Sequence, residues 1–192
     1  MYPTMPAMLS DVRFYGLLLK FDQDLAPEVR RAGCPACGAA LHAAPYPRKP
    51  RGGPAGLGAE HRERLSLCCA AEGCRQRSTP PSLRFLGPKV YWAAALIVIS
   101  ALSCGPTPAR MRPLQQWVGV SRRTVCRWRK WWREVFANTA FWRTAAWIPP
   151  VAVVDLPAAL LERFAQHNAD PLIPLLRFLA PLSGSSRTMR AM

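Results

Sequence analysis

Residues 118–136 read VGVSRRTVCRWRKWWREVF and combine a glycine turn, a serine cap and a two-faced helical pattern. On a helical wheel that advances about 100° per residue, five apolar side chains fall within one arc. This pattern predicts an amphipathic helix whose apolar face packs against a core. The five residues are Val125, Trp128, Trp132, Val135 and Phe136.

The opposite arc of this helix is basic. Ser121 is a good N-cap, because its hydroxyl can accept a free backbone N–H of the first turn, and Gly119 supplies the permissive backbone needed just before it. So many cations, opposed by Glu134 alone, would repel one another without a polyanion, which predicts contact with phosphates and base edges. A solvated face of a structural bundle is the alternative. The arc contains Arg122, Arg123, Arg127, Arg129, Lys130 and Arg133, with Cys126 among them.

Residues 118–128, VGVSRRTVCRW, resemble the turn and recognition helix of helix-turn-helix domains in bacterial transposases and regulators. The resemblance implies a positioning helix within residues 107–118 and a first helix within the apolar run 90–104. Pro113 departs from the pattern. Because proline removes a hydrogen bond inside a helix, we expect the positioning helix either to begin at Pro113 or to kink there. The residues expected to contact DNA on the recognition helix are Arg122, Arg123, Arg127, Lys130 and Arg133.

Four of the seven cysteines have the spacing of metal ligands. CPACG at 34–38 is a tight C-x-x-C knuckle, and CAAEGC at 69–74 is a slightly wider one. Two knuckles supply the four soft ligands of a closed tetrahedral zinc site, which leaves no open position for a catalytic water. The sequence therefore predicts one structural Zn²⁺. Its expected ligands are Cys34, Cys37, Cys69 and Cys74.

Cys68 competes with Cys69 for the third ligand position. We favour Cys69, because Leu65, Leu67 and Cys69 would alternate on one face of a strand. His42 is the reserve ligand, a candidate to bind the metal in place of one of these cysteines. A redox C-x-x-C is the alternative for the first knuckle, but a second knuckle exists and no alternation of strands and helices flanks it.

The cysteine region adds to the resemblance. The series CPACG, APYPRKPRGGP and CCAAEGCRQRSTPPSLRFLGPKVYW looks like the zinc-ribbon segment that precedes the helix-turn-helix in proteins carried by bacterial insertion sequences. With the recognition helix, the resemblance spans about residues 34–143. It implies a protein associated with a mobile element.

Two further basic segments flank the second knuckle. Arg48, Lys49 and Arg51 lie in a proline-stiffened segment that we expect either to reach into a minor groove as an arm or to be a solvated linker. Residues 52–54, Gly-Gly-Pro, would be its hinge. A second patch could close the same DNA face. It contains Arg75, Arg77, Arg84 and Lys89.

The composition agrees with a polyanion partner. The 192 residues carry 26 Lys and Arg against 11 Asp and Glu, which gives a formal charge of +15, as in nucleic-acid or membrane-surface binders. The 15-residue apolar run 90–104 is shorter than the roughly 20 residues of a bilayer span, so a buried helix is favoured over a membrane anchor. No signal peptide is predicted, because charged residues interrupt the first apolar stretch. We expect a cytoplasmic, nucleoid-associated protein with reduced thiols.

The expected fold is mainly α with a small β zinc ribbon, and its modules follow one another along the chain. They are an N-terminal extension at 1–31, the ribbon with its basic loop at 32–86, a three-helix helix-turn-helix bundle at 88–143, C-terminal helices at 144–182 and a disordered tail at 183–192. Within the extension, a strand or helix is expected around 14–19, followed by a short helix from Leu25 capped by Asp24. The C-terminal helices, at 157–167 and 174–179, can pack back on the bundle, which we favour, or form a homodimer surface.

We expect no enzyme. A nuclease core needs three converging carboxylates, and the candidates that follow the bundle, Asp155, Glu162 and Asp170, lack the strands that would seat them. The expected function is sequence-specific binding of double-stranded DNA, as an accessory factor beside a transposase or as the DNA-recognition part of one. A transcriptional regulator with the same two modules and an RNA-binding zinc-ribbon protein are the alternatives.

Overall fold

The computed structural model describes residues 7–86, 90–102, 107–145, 155–168 and 170–184. The chain is mainly helical with small antiparallel sheets, as predicted. The helices are Val12–Ala32 (α1), Ala59–Arg62 (α2), Ala93–Leu102 (α3), Pro108–Val118 (α4), Arg122–Lys130 (α5), Ala140–Thr144 (α6), Leu156–Ala165 (α7) and Leu172–Leu179 (α8). The strands are Leu41–Ala43 (β1), Tyr46–Pro47 (β2), Glu63–Arg64 (β3), Leu67–Cys69 (β4) and Arg77–Ser78 (β5).

The short strands form two antiparallel pairings. One sheet has the order β1-β4-β5, with Leu41 opposite Cys69 and Cys68 opposite Arg77. In the other, β2 pairs with β3. Twenty prolines are scattered through the chain, and proline cannot donate to a strand ladder, so the strands stay short.

The N-terminal segment is one helix, and not the two elements expected from the sequence. Helix α1 has 21 residues and is capped by Asp11, whose carboxylate accepts the backbone N–H of Arg13 at 2.9 Å. Asp24 lies inside it, so the predicted helix start at Leu25 is wrong. Pro27 also lies inside α1, on its exposed side. Burial of the face that carries Phe14, Tyr15 and Leu18 outweighs the hydrogen bond that the proline removes.

The apolar run forms the centre of the core. Helix α3 begins three residues after Val90, which is itself exposed, and buries every residue from Ala93 to Ser100. It packs against α5, α7 and α8. Cys104 lies outside the described residues. Within the described ranges, no helix combines the length and the apolar character needed to cross a membrane.

The predicted start of the basic helix is confirmed. Gly119 has a φ of 62° and its N–H donates to the Gln115 carbonyl at 2.9 Å, which ends α4. Three residues later α5 begins, and the Ser121 hydroxyl accepts the backbone N–H of Thr124 at 3.3 Å. Helix α4 begins at Pro108 and includes Pro113, so the first alternative, a start at Pro113, is wrong, and the second, a kink there, stays a prediction.

Beyond Lys130 the helix changes its winding. Residues Trp131–Val135 form a π-helical turn, and Phe136–Asn138 a 3-10 turn. A π turn bonds residue i to i+5 and so advances fewer degrees per residue than an α-helix. Trp132 and Phe136 remain buried, but Val135 is 52 % exposed. The prediction of a core position for Val135, made with a constant 100° step, is wrong.

The C-terminal helices pack back onto the bundle, as favoured. Helix α7 lies against α3, and α8 lies against α7. Ser183 belongs to the fold, because its hydroxyl accepts the backbone N–H of Ser82 at 2.7 Å, so its assignment to the tail is wrong. Residues 185–192 of the predicted tail lie outside the described residues. The leucines that α7 and α8 bury are Leu156, Leu160, Leu161, Leu172, Leu175, Leu176 and Leu179.

Candidate metal centre and nucleic-acid interface

The four predicted ligand cysteines meet at one point. The sulfurs of Cys34, Cys37, Cys69 and Cys74 all lie within 4.8 Å of one another, close enough to hold a metal ion. The Cys34 and Cys74 sulfurs are 3.7 Å apart, and those of Cys37 and Cys69 are 3.4 Å apart. Two residues come from each knuckle, as the spacing predicted.

Local hydrogen bonds shape each knuckle. The N–H of Gly38 donates to the Cys34 carbonyl at 2.8 Å, which folds the first knuckle into a tight turn directly after α1. In the second, the N–H of Ala71 points at the Cys69 sulfur at 3.4 Å. Because Leu41 lies opposite Cys69 in the sheet, the pairing of β1 with β4 brings the two knuckles side by side.

Strand alternation separates Cys69 from Cys68, as predicted. Leu67 and Cys69 are buried on one face of β4, toward the cluster. Cys68 points to the other face, where its thiol donates to the Arg75 carbonyl at 3.5 Å. His42 lies opposite Cys68 and is exposed, so the reserve ligand is outside the cluster.

The surroundings of the cluster shift the pKa values of two of its thiols in opposite directions. A hydrogen bond from the backbone N–H of Ala36 lowers the pKa of Cys34 to about 7. Burial raises the pKa of Cys69 to about 12. A buried thiolate at Cys69 therefore needs a compensating positive charge, which a metal ion would supply.

Most of the predicted basic face lies open to solvent. Arg129 is the exception, since its guanidinium lies 3.1 Å from the Asp155 carboxylate and only 16 % of its side chain is exposed. Its assignment to the basic arc is therefore wrong. No carboxylate within the described ranges forms an ion pair with Arg122, Arg123 or Arg127. The exposed cations of this face are Arg122, Arg123, Arg127, Lys130 and Arg133.

The opposite face of α5 is held by aromatic packing. Trp128 and Trp132 are buried, as predicted. The Trp128 ring meets Tyr91 edge-on, with 4.8 Å between ring centroids. Trp131 is half-buried and packs against Trp132 at 4.9 Å. The orientation of α5 is therefore fixed by its apolar side.

The basic segment at 48–51 is bound to the fold along its length, and we call it the strap. The N–H of Arg48 donates to the Arg62 carbonyl at 2.9 Å, and the N–H of Arg51 donates to the Val90 carbonyl at 2.8 Å. The N–H of Trp92 in turn donates to the Arg51 carbonyl at 3.0 Å. These bonds exclude both a free arm and a solvated linker. Lys49 and Arg51 are exposed, and Arg48 lies over the Phe85 ring at 5.2 Å.

The expected hinge at 52–54 is a close-packing site instead. A Cβ at Gly52 would collide with the Val118 side chain, and one at Gly53 would collide with the Trp92 indole. Gly52 also has a φ of 81°, which favours glycine. The two glycines therefore let the strap lie against the end of α4 and the start of α3.

The second basic patch does not form as expected, because Arg84 is fully buried. Its Nε donates to the Asp22 carboxylate at 2.8 Å, and its other nitrogens donate to the His61 carbonyl at 2.6 Å and the Glu63 carbonyl at 2.9 Å. Lys89 lies outside the described residues. Arg75 and Arg77 are exposed.

Sequence reasoning missed three exposed polar residues on α4. They follow Thr107, the cap of the helix that was expected within residues 107–118. Arginine and glutamine side chains can donate hydrogen bonds to phosphate oxygens, and this pair of residue types is the signal that could have found them. These residues are Arg112, Gln115 and Gln116.

The three carboxylates considered for a nuclease have separate surroundings. Asp155 pairs with Arg129, Asp170 accepts the backbone N–H of Leu172 at 3.0 Å, and Glu162 is exposed. Across the described ranges, the four-cysteine cluster is the one group of three or more His, Cys, Asp or Glu side chains close enough to hold a metal ion.

Comparison of the chain with protein-family models, with curated proteins and with solved structures found no match.

Proposed function

We propose that this chain binds double-stranded DNA in a sequence-specific manner through α5. The observation that carries the proposal is the division of this helix into a buried side, with Val125 and Trp128, and an exposed side whose arginines have no carboxylate partner in the described ranges. Lys130 lies 3.6 Å from the Glu134 carboxylate, but the positive charges of these arginines are not neutralised within the face. Such unneutralised charges attract a polyanion.

The arrangement of α4 and α5 supports a helix-turn-helix. Residues 119–121 join the two helices, and the capped N-terminus of α5 is where a recognition helix enters the major groove. Arg122 and Arg123 lie in the first turn of α5 and Arg127 in the next turn, and all three are suited to base contacts. Lys130 and Arg133 lie farther along and would contact phosphates.

The strap would form the second half of the same interface. Gly52 packs against Val118 at the end of α4, and Arg51 pairs with Tyr91, whose ring contacts Trp128 of α5. The backbone of Arg51 is thus held at a fixed place, connected through Tyr91 to the buried side of α5, and Lys49 lies two residues before it. A fixed cation loses less conformational entropy on binding phosphate than one on a free arm.

A structural zinc ion would hold the cysteine region together. The separate small core around the cluster contains Leu41 and Leu67 as its buried aliphatic side chains, too little burial to offset the ordering of the two knuckles and of β1 and β4. Four thiolates at this spacing fit Zn²⁺. Purified reduced protein should carry about one zinc per chain. Cys69→Ser should lose it, and Cys68→Ser should retain it; metal retained by Cys69→Ser would overturn the ligand set.

The biological setting follows only from the resemblance to proteins of insertion sequences. On that basis the chain acts in the cytoplasm on the nucleoid, without catalysis of its own, beside a transposase or as its DNA-recognition part. A transcriptional regulator would use the same interface. A transposase gene next to this one would favour the role in transposition. An operator upstream of its own gene would favour the transcriptional regulator.

RNA binding is the competing activity. Sequence-tolerant binding of single strands depends on exposed aromatic side chains, and burial of Trp128 and Trp132 disfavours it. Tyr46 is exposed, but the Arg77 guanidinium lies over its ring at 5.5 Å. The face of Tyr46 that a base would use is therefore partly covered.

Salt dependence tests the proposal. If about six phosphates are neutralised, log affinity for duplex DNA should fall against log salt with a slope of about −5. Fluorescence anisotropy would measure the affinity and its salt dependence for a labelled random-sequence duplex and for a single-stranded RNA of equal length. A flat salt response, or tighter binding to the RNA, would contradict the proposal.

A further inference from the structure

A chain of polar side chains runs along the first two turns of α5. The hydroxyl oxygens of Ser121 and Thr124 are 3.0 Å apart, and Nη2 of Arg127 donates to the Thr124 hydroxyl at 3.3 Å. The three residues are spaced by three positions, so they lie along one side of the helix. The Arg127 guanidinium is thereby drawn back toward the capped end of α5.

The direction of the hydrogen bond between Arg127 and Thr124 is determined by its donor. Arginine has no acceptor, so the Thr124 oxygen accepts from Arg127. The second contact, to Ser121, links the hydroxyl to the helix cap. Thr124 is only 8 % exposed, so water competes weakly for its hydroxyl. Thr124 is therefore a fixed acceptor beneath an exposed arginine.

We propose that Thr124 is a positioning residue, which orients Arg127 for recognition of guanine; the inference rests on the proposed DNA binding by α5. One of five guanidinium N–H groups is used by Thr124, which leaves a fork of donors for the N7 and O6 acceptors of guanine. Arginine has a long, rotamer-rich side chain. A hydrogen bond that restrains it before binding increases the selectivity of a bidentate contact.

Two substitutions separate positioning from folding. Thr124→Val keeps the branched shape and removes the hydroxyl, whereas Thr124→Ser keeps the hydroxyl. Each variant, the wild type and Arg127→Ala would select duplexes from a random 20-base-pair library, followed by sequencing. Thermal melting and affinity for an unselected random duplex would be measured in parallel.

We expect the wild type and Thr124→Ser to enrich guanine at one position, and Arg127→Ala to lose that preference. Thr124→Val should weaken the preference by about fivefold or more, a large part of what one bidentate contact provides. Its affinity for the random duplex should stay within about twofold, because the phosphate contacts that dominate nonspecific binding remain.

Unchanged guanine preference in Thr124→Val would overturn the positioning role. So would an equal loss of affinity for every sequence with a lowered melting temperature, since that result would assign Thr124 to helix stability alone. A wild type that binds no duplex at all would instead overturn the proposed function, and this inference with it.

Discussion

Arg84 shows how the formal charge of the chain overstates its basic surface. Its guanidinium is fully buried against the Asp22 carboxylate and the backbone carbonyls of residues 60–63. The Ser82 hydroxyl donates to the same carboxylate at 2.5 Å. Arg64 is buried as well, and burial lowers its pKa to about 10. Arg84 links α1 to residues 60–63, and Arg64 donates to the carbonyls of Pro80 and Ser183. Both guanidinium groups are unavailable to DNA.

Asp22→Asn should strongly destabilise the protein, because it leaves the Arg84 charge buried without a counter-charge. We expect a loss of about 3–5 kcal/mol in the free energy of unfolding, measured by urea denaturation. Asp24→Asn is the matched control, since Asp24 is exposed on the same helix and should change the free energy by less than about 0.5 kcal/mol. Equal stability of the two variants would contradict the role assigned to the pair.

Residues whose role depends on near neighbours could be predicted from the sequence. The Ser121 cap and each cysteine knuckle are examples, because they are local. The two knuckles lie far apart in the chain, and they could be paired because one metal ion needs four ligands. The burial of Arg84 could not be predicted in this way, since its carboxylate partner lies 62 residues away in the chain. An arginine in an irregular segment is ordinarily exposed, and nothing nearby signals its burial.

At the level of elements, the π turn after α5 changes which side chains reach the core. Two adjacent residues differ in burial there: Phe136 is fully buried, and Val135 is exposed. The Phe136 ring packs between Trp132 and Trp142, at centroid distances of 4.8 and 5.3 Å. The sequence predicted the helix but not the turn, because a π turn has no hydrophobic period of its own.

Phe136→Ala and Val135→Ala therefore form a matched pair one residue apart. Phe136→Ala should cost about 3–5 kcal/mol of unfolding free energy, as for other large aromatic side chains removed from a core. Val135→Ala should change it by less than about 0.5 kcal/mol. Chemical denaturation of both variants would measure the difference. A similar loss in both would indicate a regular α-helix through residue 136.

The strap joins a region that we expect to need a metal ion for stability to one that has a large apolar core. The N–H of Arg48 donates to the Arg62 carbonyl, next to β3, and Arg51 pairs with Tyr91 and accepts the N–H of Trp92 in the large core. The strap is not a free arm, because Gly52 packs closely against Val118 and Gly53 packs closely against Trp92. Composition alone could not separate such a strap from a linker.

Removal of metal by a chelator should destabilise the region around the cysteines and leave the large apolar core intact. Amide hydrogen exchange measured by mass spectrometry should accelerate in residues 34–47 and 63–78, which depend on the metal. Peptides from α3 and α5 should keep their protection. Cys69→Ser should reproduce the effect without chelator, and Cys68→Ser should not. Loss of protection in every element at once would show that the cysteine region is part of one cooperative unit.

The whole molecule has one large apolar core with the candidate interface on its surface. The core extends from Leu9 on the N-terminal side of α1 to Ala180 after α8, and the core around the cysteines is separate and small. Helix α5 contributes Val125 and Trp128 to the large core. The proposed interface is thus supported by rigid packing. Helix content and the metal-ligand set were predictable from periodicity and spacing, but the inclusion of α1 in this core was not.

If exposed arginines of α5 contact DNA bases, Arg123→Ala and Lys20→Ala should differ in their effect on DNA binding. Both variants remove one exposed positive charge, Lys20 from α1. Binding isotherms on a duplex selected by the wild type should show a loss of about 1–3 kcal/mol for Arg123→Ala. Lys20→Ala should bind within about twofold of the wild type, and both variants should melt normally, because neither side chain is in the core. Wild-type affinity in Arg123→Ala, or a loss matched by a lower melting temperature, would contradict the account.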